Sequence, residues 1–161
     1  EHGLIGKLPH AQYPELMDIP LMIRHPSGEW AGTSLESWAY DSDLLPTALH
    51  LLGIQEPLPV DGHDLWQVGN DVSGERDFVT SSLQDYFRIQ DDRYLYIGKS
   101  DGSEAQLYVL KDDPKLENNI APDASEIVEA LRTKLLDDAG GKLPDFDENS
   151  LRKIGPWYEL V

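Results

Sequence analysis

The sequence predicts a mixed fold: an α/β edge segment over residues 1–75, then an α+β unit over 76–161. In that second unit an antiparallel sheet of about four strands is covered by one long helix. Three observations carry this. Residues 76–110 hold four short runs rich in aromatic and β-branched residues, separated by polar breaks, the rhythm of a meander. A long amphipathic helical pattern follows at "PDASEIVEALRTKLLDDAGG", and such a helix needs a sheet face to cover. The first 75 residues lack that rhythm and mix proline-bearing loops with one clear helix.

In chain order, "YPELM" (Tyr13–Met17) suits a single helical turn with Pro14 at its start. "IPLMI" (Ile19–Ile23) is nearly continuous in apolar residues, and Pro20 bars a helix interior. It is expected to be a buried strand or a sheet edge. "DSDLLPTALHLLGI" reads as a helix capped by Ser42 or Asp43, with Pro46 in the first turn and Gly53 at C′. Leu45, Leu49 and Leu52 form its apolar face. "PLPVDGHDLWQV" carries turn chemistry and reads as an ordered loop. His50 has no other ligand type three or four residues away on its face, and His63 with the two flanking aspartates in a loop is a weak metal set, so both are read as structural.

The strands are expected at "DFVTSSL", "YFRIQ", "RYLYIGK" and "QLYVL", broken by Gln90–Asp92 and Ser100–Glu104. Tyr94 and Tyr96 share one face, Leu95 and Ile97 the other. Asp123 is the expected helix cap, with Glu126 completing a capping box. Ile127, Val128, Leu131 and Leu135 form the stripe, and Gly140-Gly141 stops the helix, here placed at Asp123–Ala139. The tail from Leu143 is irregular, with Trp157 and Tyr158 as anchors to the body.

The chain has 161 residues, 30 acidic against 13 basic, and a formal net charge of -17. That argues against nucleic acid and anionic membrane surfaces as partners. There is no cysteine, hence no disulfide, no thiolate nucleophile and no Cys-ligated zinc. No stretch approaches the ~20 apolar residues of a membrane span. No phosphate loop, G-x-S-x-G elbow or H-E-x-x-H helix is present.

The order of features is more telling than any one of them. "EHGLIGK", "YPELMDIPLMIRHP", "DSDLLPTALHLLGI", "DG" and "DL" at Asp61-Gly62 and Asp64-Leu65, "RYLYI" and "LYVLKDDPKLENNIA" follow one another at natural spacing. This series resembles the C-terminal portion of type I sulfatases, in the alkaline phosphatase superfamily. The resemblance implies that "EHGLIGK" is the tail of a metal-motif loop, with the metal ligands immediately upstream of Glu1. It implies that Lys7 contacts the sulfate oxygens and that His2 orients the loop or approaches substrate. It implies a Ca²⁺-dependent hydrolysis of sulfuric esters in the intact protein, and a periplasmic, secreted or lysosomal location.

The chain departs from the family at telling places. It has no Cys and no Ser-x-Pro-x-Arg motif from which a formylglycine nucleophile could be made. The family's Asp-Asp and Asp-His/Asn calcium ligands are absent, so no metal ligand and no bound Ca²⁺ are expected in this chain. Leu116 stands where the family's turn has Glu, and Leu95 where its strand has Lys. The expectation is an inactive C-terminal fragment whose partners are the missing N-terminal part of the same protein and, in the intact enzyme, a sulfate-ester substrate. The alternatives are a phosphonate or phosphodiester hydrolase of the same superfamily, or a non-catalytic structural or binding module.

Overall fold

A computed structural model describes residues 2–3, 6–54, 59–68 and 76–144. Pro57 and Leu58 of the "PLPVDGHDLWQV" loop and the expected anchors Trp157 and Tyr158 lie outside the described residues, as do Glu1, Leu4 and Ile5 of the opening motif. The chain divides into two compact units, residues 1–19 with 80–161, and residues 20–79.

In the first unit the N-terminal loop leads into α1 (Pro14–Met17), with proline at its start as the sequence requires. The sheet is built from β1 (Phe78–Leu83), β2 (Tyr86–Asp91), β3 (Tyr94–Lys99) and β4 (Gln106–Val109), neighbours in that order and antiparallel. Polar side chains fasten the turns. Asp91 Oδ1 accepts the N–H groups of Arg93 (2.9 Å) and Tyr94 (2.7 Å), closing the β2–β3 hairpin. Asp101 Oδ1 accepts the Ser103 N–H (2.8 Å) before β4. Such local bonds are why Asp recurs at turns. Gln90, which the sequence places both at the end of "YFRIQ" and at the start of the break, is the buried penultimate residue of β2.

Register divides the sheet into two faces. Opposite pairs such as Ile89–Tyr96 and Tyr96–Leu107 place these three wholly buried residues on one face. On the other, Tyr86, Leu95, Ile97 and Tyr108 cluster with Leu116, and Tyr13 packs against them from the loop. Leu95 thus occupies a dry position, where a lysine would leave its charge unsolvated. Leu116 is held at φ +52° and plugs the cluster. The Asp113 carboxylate holds this turn, accepting the N–H groups of Glu117 (3.1 Å) and Asn118 (2.8 Å).

The long helix is α4 (Ser125–Asp138), lying against β2. Leu131 and Leu135 are its buried residues; Ile127 and Val128 are half-buried. The expected cap is corrected. Asp123 closes a 3₁₀ turn, Ala121–Asp123, and α4 begins after Ala124 with no side-chain cap. Pro122 is the second residue of that turn, and the Asp123 N–H is already bonded to the Ile120 carbonyl (3.0 Å). The helix start therefore moves two residues on. Its end is as expected: Gly140 (φ +73°) and Gly141 (φ +90°) return their N–H groups to Asp137 and Leu136, a Schellman closure.

In the second unit a 3₁₀ turn (Asp41–Asp43) runs into α2 (Leu44–Leu51), and α3 (Leu65–Val68) follows. Gly53 (φ +69°) ends α2 with the bonds Gly53 N–H to His50 O and Ile54 N–H to Leu49 O, both 2.9 Å. Two expectations fail here. Ile19–Ile23 forms no strand, and Ile19 and Met22 are 76% and 90% exposed. A strand exists through its ladder, and none of the described strands pairs with it. Leu45 and Leu52, the expected buried face of α2, are exposed as well; its buried residue is Thr47.

Candidate functional site

The loop of residues 2–13 carries the two residues the sequence nominates. Gly3 (φ +68°) and Gly6 (φ +91°) take left-handed backbone on either side of the undescribed Leu4-Ile5, a conformation that favours glycine. Lys7 follows and is exposed. His2 is turned back on the loop. Its ring stacks on Tyr13 at 3.9 Å, and its Nε2 lies 3.7 Å from the Glu15 carboxylate.

Two glutamines fasten this loop to the sheet, and sequence reasoning missed both. Gln12, wholly buried, donates from Nε2 to the carbonyls of Pro9 and Tyr86, each 3.1 Å, and accepts the Ser81 hydroxyl at Oε1 (3.0 Å). Gln106 Nε2 donates to the His10 carbonyl (3.1 Å), while its Oε1 accepts the hydroxyls of Tyr13 (3.0 Å) and Tyr108 (2.9 Å). Burial raises the Tyr108 phenol well above its ordinary pKa, and the Tyr13 hydroxyl beside it adds to this. Arg88 is buried on the same sheet face, bonded to Gln90 and 3.5 Å from Asp18. The one signal for these polar residues was the odd-even alternation of "YFRIQ", which puts Arg88 and Gln90 on the face of Tyr86.

At the rim, Glu104 accepts both the Tyr86 hydroxyl and the Lys99 ammonium. The bond to Lys99, then that to Tyr86, holds the Glu104 carboxyl below its ordinary pKa; the bond to Glu104 raises both Tyr86 and Lys99. All three are thereby fixed in their usual neutral-pH forms, which suits structure rather than proton transfer.

In the second unit His50 Nδ1 meets Asp64 Oδ2, which also accepts Gln67 Nε2 (2.8 Å). His63 contributes its backbone N–H to Asp43 (2.7 Å). Among the described residues no group of three His, Asp or Glu side chains could hold a metal ion.

No protein-family profile matches the chain. The N-acetylglucosamine-6-O-sulfatase of Bacteroides thetaiotaomicron is 27% identical across 74% of this chain and 24% of its own length. The chain is homologous to sulfatases. A solved structure of a candidate sulfatase from the same organism covers 66% of the chain at 28% identity, with a TM-score of 0.51, and is itself covered over 27%. The chain thus spans about a quarter of the length of these relatives. The match is consistent with a C-terminal sulfatase portion, as the order of motifs in the sequence implies.

Proposed function

We propose that the chain is the C-terminal portion of a sulfatase-like hydrolase whose longer polypeptide hydrolyses sulfuric esters, and that this portion alone is inactive. The sequence likeness to a sulfatase along three quarters of the chain supports this most. The exposed apolar run Leu21–Met22–Ile23 also supports it. Contiguous exposed apolar surface of this kind marks an interaction site, and the N-terminal part of the same polypeptide is the partner that would cover it.

Lys7 would then supply the chain's share of the chemistry. Negative charge gathers on the sulfate oxygens as the S–O bond breaks, and a fixed ammonium stabilises it without proton transfer. His2, packed on Tyr13, would hold the loop in shape. Ca²⁺, which the family uses as Lewis acid and template, would by the resemblance be held by ligands upstream in the longer polypeptide. The sugar-sulfate chemistry named for the Bacteroides relative sets the substrate class to try first.

The test is direct. The 161-residue chain and the longer polypeptide that contains it are assayed on an aryl sulfate and an N-acetylglucosamine 6-sulfate, with calcium present. Turnover by the longer protein alone is expected. Turnover of an aryl phosphate diester instead of either sulfate would move the assignment to the phosphodiesterases, and calcium-dependent turnover by the short chain would refute its inactivity.

A further inference from the structure

We propose that Gln12 is the positioning residue that fixes the loop bearing Lys7 and His2 on the sheet; its catalytic meaning rests on the reading of Lys7 as the sulfate contact. One side-chain amide joins three stretches of chain: Pro9 in the loop, Ser81 in β1 and Tyr86 at the start of β2. The loop and β2 are 74 residues apart at this tie. The chemistry demands an amide. Two backbone carbonyls need donors and one hydroxyl needs an acceptor, and the group that offers two donors and an acceptor together is the Asn or Gln amide. Glutamine has the longer reach.

The coupling to Lys7 is short. The Ala11 N–H bonds the Leu8 carbonyl (2.9 Å), closing the turn between Gln12 and Lys7. Gln106 ties the next carbonyl, that of His10. Consecutive carbonyls, Pro9 and His10, are thus each held by a sheet-bound amide. Gln12 is the wholly buried member of the two, so its bonds are shielded from competing water and costly to leave unmade. A charged group acting on a transition state must be placed within about half an ångström. The sheet thereby acts on the reaction through the loop, without touching the reacting atoms.

Two measurements test this. The first is amide exchange on the 161-residue chain carrying Gln12→Leu, Gln12→Glu or Ser81→Ala. Exchange at Ala11 and its neighbours should quicken at least about tenfold in both Gln12 variants, while Leu95–Ile97 keeps its protection. Gln12→Glu should be no milder than Gln12→Leu, since it turns a carboxylate oxygen toward two carbonyls. Ser81→Ala, which loses one of three bonds, should be the mildest. Unchanged exchange at Ala11, or equal loosening of β3, overturns the proposal; if either Gln12 variant loses the sheet altogether, Ser81→Ala decides by the same criterion.

The second is kinetic, in the longer polypeptide. Gln12→Leu should lower kcat on an aryl sulfate about ten- to a hundredfold with little change in KM. It should add nothing when Lys7 is already alanine, because a positioning residue acts through the group it positions. Additive losses overturn the coupling. If Lys7→Ala alone leaves kcat unchanged, the Lys7 reading has failed, and the exchange result still decides whether Gln12 holds the loop.

Discussion

Asp43 and Arg76 form a two-pronged ion pair, with Nη1–Oδ2 at 2.8 Å and Nη2–Oδ1 at 2.7 Å, and the carboxylate is wholly buried. The same carboxylate accepts the N–H groups of Tyr40 and His63, each 2.7 Å, and the guanidinium lies over the Tyr40 ring. One pair therefore gathers the entry to α2, the loop at His63 and the segment before β1. Removing either partner should cost about 3–5 kcal/mol, since it strands a buried charge. Asp43→Asn and Arg76→Met are both expected to behave so in urea titrations. Trp30, Trp38 and Trp66, all within residues 20–79, make tryptophan fluorescence the readout.

The pair also sets an acid limit. Burial pushes the Asp43 carboxyl up, but the bond from Arg76 and the N–H groups of Tyr40 and His63 outweigh it, and its pKa is lowered. A carboxyl whose folded pKa lies below its unfolded value binds fewer protons when folded. Its stabilisation is complete above the unfolded value near ~3.9 and is lost as pH falls through the lower folded value. Stability of the wild type should fall steeply over that window. Asp43→Asn should lack that component, and an equally steep acid profile in the variant would show that other carboxylates govern it.

Gly62 is expected to tolerate no side chain. A Cβ there would run into the Ser42 carbonyl and crowd the Asp43 N–H. These are backbone atoms on the element that Asp43 anchors, so neither can swing aside. Gly62→Ala should destabilise by about 1–3 kcal/mol or more, read by the same fluorescence titration, with the far-ultraviolet signal of the sheet retained.

Arg132 on α4 spans three acceptors, the Tyr96 hydroxyl and the carbonyls of Lys99 and Ser100, each 3.2 Å. It locks the helix to the β3–β4 turn. At that turn Gly102 sits at φ +85°, and a Cβ would fall 2.8 Å from the guanidinium carbon. Arg132→Met and Gly102→Ala should each cost about 1–3 kcal/mol. Their effects should not sum, because both break one contact. A double-mutant cycle by chemical denaturation checks this; full additivity would mean that the turn and the helix are independent.

Lys7→Ala separates function from stability. Lys7 is exposed, and a surface substitution of this kind should move stability by no more than about 0.5 kcal/mol. In the longer polypeptide it should lower kcat about a hundred- to a thousandfold, with Lys7→Arg a poor rescue because a planar fork does not replace a compact ammonium. A fall smaller than about tenfold, with calcium content unchanged, would remove Lys7 from the site.

What the sequence determined was whatever depends on neighbours along the chain. The four strands, their turn aspartates, Pro14 opening α1, and the glycine stops after α2 and α4 follow from φ restriction, side-chain alternation and short-range hydrogen bonds. The order of such local signatures also carried the likeness to sulfatases. Even there proximity could mislead: Asp123 has the spacing of a cap, yet Pro122 drew it into an earlier turn.

Tertiary structure alone decided what becomes buried and what polar groups meet. Ile19–Ile23 reads as core but has no described strand beside it, because a ladder needs a second chain segment that no local pattern supplies. Gln106 reads as an ordinary strand residue and Asp43 as a helix cap, and no local pattern singles out Gln12. Each becomes an anchor only when distant carbonyls, N–H groups or a guanidinium arrive, Tyr86 for Gln12 and Arg76 for Asp43. A buried polar group is stable only with its partners. Those partners lie 33 and 74 residues away, and composition and periodicity hold no record of such separations.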